Sequence, residues 1–155
     1  MPDTRFMELA IERARAGIAA GQSPFAAVIV RGTEVIAAEH NRVRLTTDPT
    51  AHAEVVAIRA AATNLGAIDL SGCEMYSTCE PCPMCASAIH WARLDAVSWG
   101  ASIADAQSAG FNELTLPARE LYRRGLSPVR PFAGVLRTRC AALFSEWLAA
   151  GGEAY

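Results

Sequence analysis

The sequence lacks a dominant charge, a long apolar run and an N-terminal targeting segment. Its 14 Lys and Arg against 16 Asp and Glu leave a net charge of −2, so no basic field favours a nucleic-acid backbone as partner. No run approaches the roughly 20 apolar residues that span a bilayer, and no charged n-region precedes an apolar h-region. These absences favour a small-molecule partner and predict a soluble, cytoplasmic protein without membrane contact.

The sequence also has no internal repeat, low-complexity tract or linker that would divide it. Its 155 residues are 52% apolar, which is enough to bury a core of ordinary size without covalent cross-links. We therefore predict one domain over residues 1–155.

Apolar periodicity predicts helices that alternate with strands. An amphipathic helix is expected up to Gly21, followed by two antiparallel strands at 24–30 and 34–39. The further expected elements are a helix from Asp48-Pro49-Thr50 to Gly66, a strand at 73–78, a helix at 81–93, a strand at 95–101 and a last helix around 140–148. Residues 103–117 show no clear period. A mixed sheet covered by helices on both faces is the simplest architecture.

Two short motifs, each at a predicted helix start, indicate a metal site. They are His52-Ala53-Glu54 and Pro81-Cys82-Pro83-Met84-Cys85, which together form an H-x-E plus P-C-x-x-C signature. Cysteines at i and i+3 share one helix face, and the helix dipole favours their thiolate forms. An imidazole and two thiolates suit Zn²⁺ and leave a fourth position for water, as catalytic sites do. Five cysteines, an odd number, also favour a metal site over a disulfide framework.

Glu54 lies two residues beyond the predicted ligand His52 and is predicted to move protons between the water, the substrate ring and the leaving amine. The alternative is a closed structural site, in which Cys79 supplies the fourth ligand and Glu54 is a solvated carboxylate of the first helical turn.

With these motifs the chain resembles the cytidine deaminase superfamily, and within it the guanine deaminase branch. The resemblance rests on residues 48–54 and 78–85, together with Pro24-Phe25, Asn41, Trp91-Ala92-Arg93, Ala109-Gly110-Phe111 and Tyr155. It implies a three-layer α/β/α fold with a mixed, five-stranded central sheet. It also implies one Zn²⁺ per chain and a homodimer.

The resemblance further implies that residues 151–155 form a C-terminal lid, exchanged between subunits, that closes the partner's pocket. Gly151-Gly152 would then be a hinge and Tyr155 a lid residue. The alternative for Tyr155 is a frayed chain end.

Four more positions are assigned to the substrate. Asn41 offers a donor and an acceptor to a purine edge, unless it is an ordinary turn asparagine. Phe25 and Trp91 are predicted to form apolar walls on which a planar base stacks, although an aromatic residue at a helix end also suits a core. Ala53, between the two motif residues, is assigned to the substrate site as well.

One departure from the family pattern concerns the second carboxylate. Many guanine deaminases have Gly-Phe-Asp-Asp where this chain has Gly110-Phe111-Asn112-Glu113. Glu113 is predicted to bind the exocyclic amine or assist its departure, with one extra methylene of reach. The alternative places Glu113 on a solvated loop.

The sequence therefore predicts hydrolytic deamination of guanine to xanthine and ammonia. Three alternatives stay open: deamination of guanosine, cytosine or cytidine, deamination of a tRNA adenosine, and a zinc-stabilised scaffold without activity. The slightly negative charge argues against a tRNA substrate, and the presence of Glu54 argues against a scaffold.

Overall fold

The computed structural model describes all 155 residues, in seven helices and five strands. The helices are α1 (Thr4–Ala19), α2 (Val43–Thr46), α3 (Ala53–Leu65), α4 (Pro83–Trp91), α5 (Ile103–Ser108), α6 (Ala118–Arg124) and α7 (Arg137–Ala149). The strands are β1 (Ala26–Arg31), β2 (Glu34–His40), β3 (Glu74–Cys79), β4 (Ala96–Ala101) and β5 (Arg130–Ala133). None of the helices has the length and apolarity needed to cross a bilayer.

The five strands form one mixed sheet in the order β2-β1-β3-β4-β5. β1 is antiparallel to both β2 and β3, whereas β3, β4 and β5 are parallel to one another. Parallel neighbours require a crossover connection, and α4 provides it between β3 and β4. The expected mixed, five-stranded sheet is confirmed.

Helices cover both faces of the sheet, and each face has its own apolar core. Because side chains alternate along a strand, Ala27 and Ile29 of β1 join the core under α3, α4 and α6. Val28 and Val30 of the same strand join the core under α1 and α7. Both faces of β1 are buried, which explains its continuous apolar run. The three-layer α/β/α fold is therefore confirmed.

The ends of this sheet place the two motifs beside each other. His52 is the N-cap of α3, and Cys82 is the N-cap of α4, three residues after β3 ends. Pro83 occupies the first helical position of α4, where a missing N–H costs nothing. The starts of two neighbouring helices thus meet at the carboxyl end of β3.

The segments without a clear period contain short elements that periodicity does not detect. α5 has only six residues, but Ser102 and Asp105 form a reciprocal capping box at its start. α6 and the edge strand β5 have seven and four residues, and β5 includes Pro131. Elements of this length show less than two full helical turns or too few alternations to be recognised.

Candidate active site

The predicted metal ligands lie together. The ligand atoms of His52, Cys82 and Cys85 are all within 4.8 Å of one another. Nδ1 of His52 lies 3.6 Å from the Cys82 sulfur and 3.5 Å from the Cys85 sulfur. Nitrogen and sulfur atoms bound to one tetrahedral zinc, at 2.0–2.1 and 2.3 Å, are about 3.5–3.6 Å apart. The three side chains therefore fit Zn²⁺ without rearrangement.

The two thiols are electrostatically different. Hydrogen bonding from Cys85, assisted by His52, lowers the pKa of the Cys82 thiol to about 4 despite its partial burial. The charge that this places on Cys82, together with burial, raises the pKa of Cys85. One thiolate is thus favoured before a metal binds, and a divalent cation would favour the second.

Cys79 does not belong to this cluster. It is buried at the end of β3, and its thiol points toward the Ser102 carbonyl oxygen, 3.5 Å away. The closed four-ligand alternative therefore lacks its fourth ligand, and three protein ligands leave a position open, as in catalytic zinc sites.

Glu54 is buried, with 6% of its surface exposed, and its carboxylate accepts a hydrogen bond of 3.1 Å from the Ser77 hydroxyl. Burial, followed by the negative charge at Cys82, raises the pKa of the Glu54 carboxyl. A carboxyl in this environment changes protonation more easily near neutral pH than a solvated one. Glu54 is therefore not the solvated carboxylate of the structural alternative.

A cavity of about 310 Å³ opens over the metal ligands and Glu54. Its volume is at the small end of the range for ligand pockets. Of the predicted substrate residues it includes Phe25, Asn41, Glu113 and Tyr155. The other lining residues are Pro49, His52, Glu54, Cys79, Glu80, Cys82, Met84, Phe111, Asn112 and Leu114.

An aromatic wall closes one side of this cavity. Phe25 contacts Phe111 edge to face, with ring centroids 4.9 Å apart, and Phe111 stacks on Trp147 of α7 at the same centroid distance. Phe111 is 5% exposed, so the wall is part of the core under α7. The wall is consequently rigid and apolar.

Glu113 lies half-buried at the cavity. Burial, followed by the charge at Cys82, raises the pKa of its carboxyl to about 6. The solvated-loop alternative is therefore wrong for the side chain, although the surrounding segment is irregular. The structure thus places two carboxylates with raised pKa values, Glu54 and Glu113, in one cavity.

Asn41 and Tyr155 meet at the cavity mouth. The Asn41 side-chain amide donates a 2.9 Å hydrogen bond to the Tyr155 hydroxyl, and its oxygen accepts one of 3.0 Å from the Val43 amide. Asn41 thus shapes a turn and lines the cavity as well. The chain end is held in addition by Arg44, which donates to the Glu153 carbonyl oxygen at 2.7 Å. In this single chain the tail lies across its own cavity.

Two predicted substrate residues are placed elsewhere. Trp91 is 80% exposed and lines a different groove with Ile68 and Leu94. Its assignment as a wall of the substrate cavity is wrong, because α4 carries it roughly 13 Å along the helix axis from Cys82. Ala53 is fully buried at the first position of α3 and does not line the cavity. Its role in substrate binding stays a prediction.

Sequence reasoning missed three residues that shape the site: Ser77, Glu80 and Phe111. Ser77 is a buried polar residue of the strand β3. Because buried polar groups need hydrogen-bond partners, a partner such as Glu54 was to be expected. Phe111 was part of a recognised motif without a role. Glu80 gave no signal beyond its place between Cys79 and Cys82.

Comparison with known proteins agrees with this geometry. The sequence model of the cytidine and deoxycytidylate deaminase zinc-binding region matches residues 1–101, so the chain belongs to this family of zinc-dependent aminohydrolases. The chain is 43% identical to guanine deaminase of Bacillus subtilis (strain 168) over 143 residues, which is 92% of this chain and 89% of the relative.

Two further relatives are a second guanine deaminase and a tRNA-specific adenosine deaminase. The structure of guanine deaminase from Nitrosomonas europaea superimposes with a TM-score of 0.88 at 31% identity, covering 96% of this chain and 85% of that chain. A tRNA-specific adenosine deaminase of Agrobacterium fabrum is 46% identical over 98 residues, 63% of this chain and 64% of the relative. The proteins similar to this chain thus include enzymes that are named for different substrates.

Proposed function

We propose that this deaminase hydrolyses guanine to xanthine and ammonia. The observation that carries the proposal is the pair of carboxylates in one small cavity, with Glu54 next to the metal ligand His52 in the chain and Glu113 in the irregular loop. The similarity to guanine deaminases over more than nine tenths of the chain supports the same substrate. Water adds at the ring carbon that bears the exocyclic amine, the carbon–nitrogen bond to that amine breaks, and ammonia leaves.

His52, Cys82 and Cys85 hold the zinc in this proposal. Zinc, when bound, would lower the pKa of a water to about 7 and so supply a nucleophile at neutral pH. The three protein ligands lie at the starts of α3 and α4, where the helix dipoles favour the thiolate forms of the two cysteines.

Glu54 moves the protons. Its ionised form accepts one proton from the attacking water and passes it to the ring nitrogen; it then accepts the second proton, from the hydroxyl added at the ring carbon, and passes it to the amine, which leaves as ammonia. Burial favours the neutral form and thereby eases the return step. Ser77 holds one carboxylate oxygen, which leaves the other oxygen for this transfer.

The remaining cavity residues recognise the base. Phe25 and Phe111 provide an apolar wall for a planar ring. Glu113 binds the exocyclic amine, and Asn41, together with the Tyr155 hydroxyl, faces the polar edge of the purine. Tyr155 also closes the mouth of the cavity, which limits the space to a small ligand.

The test is ammonia release by the zinc-loaded protein with guanine, guanosine, adenine, cytosine, cytidine and a tRNA anticodon stem-loop, with Glu54→Ala as the blank. We expect turnover of guanine alone, with xanthine as product. Turnover of a nucleoside or of the stem-loop, with guanine unchanged, would contradict the proposal while keeping the zinc chemistry.

We also propose that the protein is a homodimer in which the C-terminal tails are exchanged. Ile68 and Trp91 are 90% and 80% exposed along one groove, and such apolar exposure is typical of an interface. The tail is held by only a few hydrogen bonds beyond Gly151, whose φ of +81° suits glycine at a hinge.

Complementation tests the exchange. A chain with Glu54→Ala and an intact tail is mixed with a chain that retains Glu54 but ends at residue 151. If tails are exchanged, the mixed dimer recovers turnover that neither chain has alone. A monomer in light scattering, or a dimer without recovery, would contradict the proposal.

A further inference from the structure

We propose that Glu80 is a positioning residue that clamps both ends of the segment comprising α5 and the loop that carries Glu113, and so ties this segment to the zinc motif. The loop comprises residues 109–117, between α5 and α6, and is called the 109–117 loop below. The inference rests on the proposed function, because it assigns the loop to substrate recognition. Glu80 lies between Cys79 and the metal ligand Cys82 in the chain.

The clamp consists of one carboxylate and two backbone amides. One Glu80 oxygen accepts a hydrogen bond of 3.0 Å from the Ala118 N–H, and the other accepts one of 3.3 Å from the Ile103 N–H. Ile103 and Ala118 are the first residues of α5 and α6, so the two amides lie at the two ends of the segment that comprises α5 and the 109–117 loop, and only Ala118 adjoins the loop itself. The Glu80 N–H donates to the Ala101 carbonyl oxygen at 2.8 Å, which ties it to the end of β4.

The loop has few other attachments after Glu113. The backbone N–H groups of residues 114–116 make no hydrogen bond within the chain, and Leu114 is 68% exposed. The N-cap of α6, Pro117, provides no side-chain hydrogen bond to that helix. The Glu80 carboxylate therefore supplies the side-chain cap that α6 lacks, and with the buried Ala118 it fixes where the loop ends.

The Glu80 hydrogen bonds are expected to affect the position of Glu113 rather than the binding of zinc. Glu113 faces the cavity from the free part of the loop, while the ligands of the zinc are held by α3 and α4. Because one carboxylate holds both ends of the segment that comprises α5 and the loop, the Glu113 carboxylate keeps its position in the cavity. A chain in which one end of this segment is released would still bind zinc but would hold the base less well.

The first measurement is hydrogen exchange of the loop in zinc-loaded Glu80→Gln protein. A glutamine has one side-chain acceptor instead of two, so one of the two helix-start amides loses its partner. We expect faster exchange at Ile103 or Ala118 and at the hydrogen-bonded amides of residues 109–113, with one zinc per chain and unchanged exchange in α3 and α4. Glu120→Gln is the matched control, because it removes the same charge from α6 without touching the clamp.

The second measurement is a double-mutant cycle with guanine. Glu80→Gln and Glu113→Gln are each expected to lower kcat/KM about tenfold, and the double variant also about tenfold rather than hundredfold, because the first acts through the second. The loss should fall on KM more than on kcat. Glu80→Asp keeps the charge but is one methylene shorter, so it cannot span both amides and is not expected to restore activity.

Unchanged loop exchange in Glu80→Gln, multiplicative losses in the cycle, loss of zinc, or full activity of Glu80→Asp would each overturn the clamp. If the wild-type protein does not deaminate guanine at all, the proposed function is wrong. The exchange measurement, which needs no substrate, then decides the clamp alone.

Discussion

The floor and the mouth of the cavity are built in different ways. The floor is formed by His52, Cys82 and Cys85 at the starts of two helices that pack on the centre of the sheet. The mouth is formed by the 109–117 loop and the C-terminal tail, which are irregular and touch each other through the Asn112 amide and the Tyr155 carbonyl oxygen. Helices thus position the metal ligands, and irregular segments line the part of the cavity that is proposed to bind the substrate.

The difference between floor and mouth indicates how members of one family can act on different substrates. The guanine deaminase of Bacillus subtilis matches 143 residues of this chain at 43% identity, and a tRNA-specific adenosine deaminase of the same organism matches 145 residues at 34%. Changes in loops are tolerated more easily than changes in packed elements. We therefore expect substitutions at the floor to abolish activity and substitutions at the mouth to alter substrate affinity.

The largest effect is expected from a ligand at the floor. Cys85→Ser should remove zinc and bring ammonia release below detection, because without the metal the pKa of the attacking water is far above neutral pH. Zinc content by plasma emission spectrometry and ammonia release are measured together. Cys79→Ser is the matched control at a neighbouring buried cysteine, and loss of zinc in that variant would contradict the three-ligand site.

The next largest effect is expected at Glu54. Glu54→Gln should keep zinc and fold but lower kcat about 10²- to 10⁴-fold, the usual contribution of a positioned general acid–base. Single-turnover ammonia release and the zinc content are the measurements. A variant that loses zinc or unfolds would instead make Glu54 a structural residue.

A smaller effect is expected at the mouth. A Cβ at residue 152 would overlap the indole ring of Trp147, so Gly152→Ala should displace the tail and raise KM about tenfold while kcat and zinc change little. Steady-state kinetics with guanine measure this effect. Glu153→Ala is the control, since only the backbone carbonyl of Glu153 is bonded to Arg44. Equal values of KM and kcat in the two variants would show that the tail does not contribute to substrate binding.

The smallest effect is expected from the titration of Glu113. Its carboxyl pKa is raised from 4.5 to about 6 by burial, so the neutral form dominates below about pH 6. If the ionised form binds the amine, kcat/KM falls as the pH drops through about 6, and Glu113→Gln loses this limb. The contribution of Glu113 to the free energy of unfolding has the opposite pH dependence: it is fully present below pH 4.5 and is lost as the pH rises through about 6. Denaturant midpoints across this range check the stability prediction. A fall in kcat/KM at low pH that persists in Glu113→Gln would contradict the kinetic prediction.

The sequence predicts the floor far better than the mouth. His52, Cys82 and Cys85 lie in contiguous motifs at helix starts, where the period of 3.6 residues and the cap positions determine which side chains meet. Asn41, Glu113 and Tyr155 were assigned through the family resemblance, and the structure places all three at one cavity.

The remaining features depend on contacts between residues distant in the chain. Trp91 was wrongly assigned because a sequence motif does not show how far the last residue of a helix lies from its first. Glu80 and Ser77 act through partners 23 or 38 residues away, which only the folded sheet brings near. The short α5, α6 and β5 were missed because they leave no measurable period.

The position of the chain end has a practical consequence for purification. Because Tyr155 lies at the cavity with its hydroxyl on Asn41, any affinity tag fused after it would begin at the entrance used by the substrate. At the other terminus Met1 is fully exposed and the Asp3 amide donates to the Tyr76 hydroxyl, and none of these three residues lines the cavity. A tag for kinetic work therefore belongs before Met1, and a C-terminal tag would itself report on the mouth by raising KM until it is cleaved.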